Sequence, residues 1–178
     1  MERQIHGFNF ENDLSSVNEN LKLSNGYTSK WDGIEYYEGK HFSVSIKCIK
    51  LGASVDFGDI KRQSVVSEDF ILYVGFWSDS KTKKVVKYYK ILITKENWNK
   101  YLGDVSILPD LFSEMALISN ERSDDKKWTA FRKLYTSLYG KATIALRFKR
   151  DHKKQKRIQC GVSYSNFMNI VLKENKVI

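Results

Sequence analysis

The chain has 178 residues, and its 30 lysines and arginines against 21 aspartates and glutamates give a formal charge of +9 with the histidines neutral. An apolar share of 42% with 13% aromatic residues is ample for one packed core, which excludes wholesale disorder and predicts a single domain over residues 1–178. The longest apolar run, FILYVGFW at 70–77, is far too short to cross a bilayer, and Met1 is followed by polar and charged residues, so a soluble cytoplasmic protein without a membrane partner is expected.

In chain order, Leu14, Val17 and Leu21 recur at about one helical face and predict a helix over 11–23. Residues 27–37 and 41–50, rich in aromatic and β-branched side chains and joined through Glu38-Gly39, predict a β-hairpin. The polar stretch 56–69 reads as helix-compatible, with Asp59 placed to begin it, and the apolar run 70–77 follows as a strand, which suggests an α/β unit. A strand over 85–94 and a short helix over 95–102 come next, then a helix opened by Pro109 and running through Ile118. Ser123, Asp124 and Asp125 cap a further helix whose apolar face is Trp128, Phe131, Leu134, Tyr135 and Leu138, and Gly140 stops it. Residues 142–150 and 156–164 alternate around DHKKQ as a second, strongly basic hairpin, and a last helix starts at Ser165. Cys48 and Cys160 lie far apart in apolar strands without a CxxC or a histidine at zinc spacing, so neither a disulfide framework nor structural zinc is expected. His6, His41 and His152 lack partners for a catalytic triad.

A two-residue Glu38-Gly39 turn sets residues whose numbers sum to 77 opposite one another, so Asp32 faces Ser45. Alternation then places Ser43, Ser45 and Lys47 on the face of Asp32, with Phe42, Val44, Ile46 and Cys48 on the other together with Trp31. A lysine projecting from an apolar strand needs a carboxylate or phosphate to receive it, and Asp32 is the nearest candidate. An Asp-Gly also serves turns, and a strand-end lysine also reaches solvent past a half-exposed sheet.

WDGIEYYEGKHFSVSIKCIK, with an Asp-Gly at the start of one strand, a glycine-containing turn and a Lys two residues after Ser45 on the next, resembles the PD-(D/E)xK nuclease superfamily and is most similar to its small type II restriction endonucleases. The likeness covers a core of about residues 11–102, leaving a helical and basic-hairpin part at 109–178. It implies an α/β fold with a restriction-endonuclease-like core, a central mixed β-sheet flanked by helices and a C-terminal basic β-hairpin. Ser45 stands where the family usually has an acid, and some members bring the missing carboxylate from the following helix; Asp59 is the first counterpart here, Asp56 the second and Glu68 the third. The implied chemistry is Mg²⁺-dependent phosphodiester hydrolysis, with Mn²⁺ as an alternative, the cation held by Asp32 with Asp59 or Asp56, Lys47 orienting the attacking water and Ser45 supporting. Glu11 or Glu19 of the first helix is a further candidate ligand. Asp59-Ile60-Lys61 forms a competing acid-x-Lys, ranked lower because 56–63 lacks the alternating apolar face of a strand.

The implied partner is double-stranded DNA, cut at a specific sequence by a homodimer whose companion is a DNA methyltransferase. Arg147, Lys149, Arg150, Lys153, Lys154, Lys156, Arg157 and Gln159 cluster around one hairpin, and a two-stranded ribbon fits a major groove. Lys61, Arg62 and Gln63 follow the expected metal ligand, where a helix crossing the site meets the DNA backbone. The other readings are a DNA-binding protein that kept the fold and cuts nothing, a repair or junction nuclease sharing the site, and an unrelated basic α/β module.

Overall fold

The structure, a computed structural model, describes residues 2–24, 30–79, 81–139, 142–150 and 155–178. Helix α1 (Glu2–Val17) leads into the short strand β1 (Leu21–Leu23), followed by β2 (Gly33–Tyr37) and β3 (Lys40–Lys50). Glu38 and Gly39 take φ of 46° and 81°, the left-handed pair that a two-residue hairpin turn needs, and this fixes Gly33 opposite Val44 and Tyr37 opposite Lys40. The expected register therefore holds.

Strand β4 (Val55–Asp59) and the single turn α2 (Ile60–Gln63) carry the chain to β5 (Phe70–Trp77), which pairs parallel to β3. Strand β6 (Val85–Ile93) adds antiparallel, and the six-stranded order is β1-β2-β3-β5-β6-β9, where β9 is Lys176–Val177. The fold is thus mixed α/β with a central mixed sheet flanked by helices. On one sheet face α1 presses Phe10 and Leu14 onto Val44, Ile46, Ile71 and Tyr73. A Cβ at Gly75 would lie 2.7 Å from the Phe10 ring, so the close approach of α1 requires glycine there.

The other face carries the larger core. Helices α3 (Lys95–Leu102), α4 (Leu108–Leu117) and α5 (Asp125–Tyr139) pack there with a second, three-stranded sheet, β4-β8-β7, in which β7 is Ile144–Arg150 and β8 is Lys156–Val162. After β8 come α6 (Tyr164–Asn166), a π-helical turn over Phe167–Val171 and α7 (Leu172–Glu174). Among the described residues no helix is long and apolar enough to cross a membrane.

Several expectations are corrected. The first helix ends at Val17, which is 78% exposed, because Asn18 folds back in a turn whose carbonyl receives Leu21 N–H, and Leu21 is buried as a strand residue instead. The stretch 56–69 is not one helix: Val55 and Phe57 alternate into the core, Gly58 at φ 84° makes a bulge against β8, and only four residues after Asp59 are helical. Trp31 lies on the Ser45 side rather than with Val44, its ring 5.1 Å from Phe70, because it precedes β2 and strand alternation does not govern it. Leu134 and Leu138 are exposed while Trp128 and Phe131 are buried, and the last helix is interrupted by the π turn and followed by β9. Residues 27–29 and Gly140 lie outside the described residues.

Candidate active site

Strand β2 stops pairing at Gly33, so beyond Val44 the outer edge of β3 has no strand beside it among the described residues. Asp32 closes that edge. Its N–H donates to the Val44 carbonyl at 2.8 Å, and its Oδ2 accepts from Ile46 N–H at 2.6 Å and from Ser45 Oγ at 3.4 Å. Lys47 Nζ stands 3.6 Å from the same oxygen, the two side chains being 25% and 31% exposed. The carboxylate therefore ends a β-ladder and receives the lysine at once. A half-open pair of this kind contributes little to stability, about 0–1 kcal/mol, so the convergence is more informative as chemistry than as a strut.

The facing wall comes from the second sheet. Gly58 and Asp59 at the end of β4, Arg62 and Gln63 of α2, and Arg157 and Gln159 of β8 line, with Lys30, Trp31, Asp32, Ser45, Lys47 and Phe57, a cleft of about 330 Å³. Asp59 caps α2, its Oδ1 accepting from Lys61 N–H at 2.8 Å, and it sits directly across from Gln159. Gln63 is held in place by donating its side-chain amide N–H to the Phe57 carbonyl, while its backbone carbonyl accepts from the Trp98 indole N–H. Two carboxylates thus share the cleft with four cationic side chains, Lys30, Lys47, Arg62 and Arg157. That surplus attracts a polyanion.

Glu11 of α1 is half-buried in the same field. Its carboxyl is held above the ordinary value of 4.5, first by burial and then by the charge of Asp32, with Lys47 acting in the opposite sense. Glu19, past the end of α1, is exposed. Among the described residues no group of three or more His, Cys, Asp or Glu side chains is arranged to hold a metal ion. The oxygen donors that line the cleft are all hard ones. Asp32 and Asp59 are carboxylates on its two walls, and the Gln159 Oε1 beside Asp59 is buried without a hydrogen-bond partner among the described residues. Donors of this kind do not form a protein-only cage, and an ion held by them would need waters or a phosphate to complete its shell.

Of the other expected residues, Asp56 does not line the cleft; its Oδ1 accepts from Gly58 N–H at 2.8 Å and its Oδ2 faces Arg147 and Lys149. Glu68 accepts from Ser43 Oγ at 2.7 Å, away from Lys47. The competing acid-x-Lys does not assemble, because the Lys61 ammonium sits 4.1 Å over the Phe112 ring. The basic hairpin divides by face. Arg147, Lys149, Arg157 and Gln159 share the side turned away from the core, whereas Arg150 is paired with Asp125 and stacked 5.5 Å over Trp128, and Lys156 donates to the carbonyls of Met115, Ala116 and Ile118 at the end of α4. These contacts assign Arg150 and Lys156 to packing. Lys153 and Lys154 lie outside the described residues.

Sequence reasoning missed Lys30, whose position beside Trp31-Asp32 was the available signal; its ammonium lies 5.2 Å over the Trp31 ring and donates to the Val65 carbonyl. It also missed Glu35, 1% exposed on the opposite sheet face, where it meets Lys90, Tyr73 and Asn18. No protein-family model, curated protein or solved structure matches the chain.

Proposed function

We propose that the chain is a Mg²⁺-dependent endonuclease hydrolysing phosphodiester bonds of double-stranded DNA, with Mn²⁺ as an alternative ion, on a restriction-endonuclease-like core. The observation that carries this reading is the meeting of Asp32, Ser45 and Lys47 in one cleft whose other wall brings Asp59 beside Arg62, Arg157 and Gln159. Acid and ammonium can serve in-line attack on a phosphate, and a basic ribbon can hold the duplex around it.

Asp32 and Asp59 would hold the ion. Bound there together with the scissile phosphate, it supplies a water of lowered pKa and neutralises developing charge. Lys47, oriented by Asp32, donates to the attacking water and to the phosphate oxygen that gains charge. Ser45 Oγ, already in contact with Asp32, keeps that carboxylate aimed into the cleft. Arg62 and Arg157 take neighbouring phosphates, and the outer face of β7 and β8 lies along the duplex. The likeness to type II restriction endonucleases extends this to cleavage at a specific sequence by a cytoplasmic homodimer accompanied by a DNA methyltransferase.

One observation favours a second reading. Ser45 is neutral where the resembled enzymes carry an acid, and no three-acid group forms among the described residues, so a cleft that binds duplex DNA and cuts nothing also fits. Incubating the purified chain with a long natural duplex and Mg²⁺, beside an EDTA control, separates the two. Discrete fragments are expected; cleavage at junctions or flaps alone assigns repair, and binding without cleavage in Mg²⁺ or Mn²⁺ leaves the second reading.

A further inference from the structure

The face of the three-stranded sheet turned from the core carries Arg147 and Lys149 of β7 beside Arg157 and Gln159 of β8, because their alternates Phe148, Ile158 and Cys160 are buried. One acid is set among them from β4. Asp56 lies opposite Gly161, its Oδ2 3.8 Å from Arg147 Nη1 and 4.0 Å from Lys149 Nζ, all three side chains being partly exposed. Its aim is fixed from behind by the Gly58 N–H on Oδ1. The Arg147 guanidinium lies over Gly161, where a Cβ would come within 3.2 Å of its Nη2 and 3.3 Å of its Cζ.

We propose that Asp56 is a counter-charge that lowers sequence-independent duplex binding rather than a metal ligand: it faces Arg147 and Lys149 in the free protein, so that a phosphate must compete with a carboxylate for them. The inference rests on the nucleic-acid reading of this surface. Cations without such a competitor bind any duplex through counterion release, which is the sequence-independent part of affinity. An intramolecular carboxylate lowers that part, and an exposed pair at nearly 4 Å is weak enough to yield when a well-placed phosphate arrives.

The test is Asp56→Asn, because the amide oxygen keeps the Gly58 N–H bond while the charge is lost. Binding to a random-sequence duplex is measured in EDTA by fluorescence anisotropy between about 50 and about 200 mM salt. The variant is expected to bind roughly 2- to 5-fold tighter at the low end, with a log–log salt slope steeper by up to about one unit. In an Arg147→Gln/Lys149→Gln background the same change is expected to have no effect, and circular dichroism checks that each variant is folded. Equal or weaker binding by folded Asp56→Asn, while the wild type binds, overturns the role of Asp56 alone. Failure of the wild type to bind duplex even at low salt overturns the nucleic-acid reading and this inference with it.

Discussion

Glu35 is a buried carboxylate on the strand that leads out of the candidate site, on the opposite face of the sheet. It sits on β2, three residues from Asp32, and is 1% exposed; its Oε1 receives Lys90 Nζ at 2.5 Å and Asn18 Nδ2 at 3.0 Å, and its Oε2 receives Tyr73 Oη at 2.8 Å. Glu35→Ala leaves the Lys90 ammonium, only 17% exposed, without its carboxylate and strips a partner from two further donors. Hydrogen bonds to a charged group contribute about 1.5–3 kcal/mol each, but they are not additive, and breaking a buried pair from one side costs about 3–5 kcal/mol. The expected loss is therefore about 3–5 kcal/mol, read from urea denaturation as a lower midpoint with an unchanged slope. Lys90→Met in the same chain is expected to recover more than half of it, since no uncompensated charge then remains. A loss below about 1 kcal/mol for Glu35→Ala, or simple additivity of the two substitutions, would refute the buried-pair reasoning.

Lys156→Met removes the donor to three carbonyls at the end of α4 and is expected to cost about 1–3 kcal/mol of stability without changing the salt slope of duplex binding; weaker binding at unchanged stability would return Lys156 to the DNA face. Asp59→Ala loses the cap on Lys61 N–H and should cost about 1 kcal/mol, whereas Asp59→Asn keeps the cap within about 0.5 kcal/mol; both are expected to lose cleavage, and an active Asn variant would sink the metal role. For Glu11 the carboxyl is raised in the folded chain, so the fold favours its protonated form and loses stability as pH climbs from below 4.5 through the elevated value. Glu11→Gln escapes that loss. Denaturation without metal should show it more stable than wild type near about pH 7 and equal to it below 4.5; the opposite ordering would mean that Glu11 is stabilised as the anion.

The hairpin that carries the site was legible because local chemistry decides it: Glu38-Gly39 admits a left-handed two-residue turn, the turn sets the register, and the register brings Asp32 to Ser45 and Lys47. Strand β4 was not, because its partner β8 lies some hundred residues on and Val55-Asp56-Phe57 offers too short an alternation to outweigh a polar context. The same distance hid the division of the basic hairpin. Alternation with Ile158 and Cys160 puts Lys156 on the apolar face of β8, but the carbonyls that receive its ammonium there come from α4, docked from far along the chain. Glu35 was hidden more deeply, since local pattern favours burying Ile34 and Tyr36, and it is Asn18, Tyr73 and Lys90 from three other segments that make the reverse stable.

The most direct test of the cleft as a phosphodiester-cleaving site is a paired measurement of binding and cutting with Lys47→Met, which keeps the length of the side chain and removes its charge. On a long natural duplex the wild type is expected to cut with Mg²⁺ and to stop in EDTA, while the variant binds within about 3-fold of wild type and cuts at least about 100-fold more slowly. Cutting by the variant at the wild-type rate, or duplex binding by the wild type with no cleavage in Mg²⁺ or Mn²⁺, would contradict it.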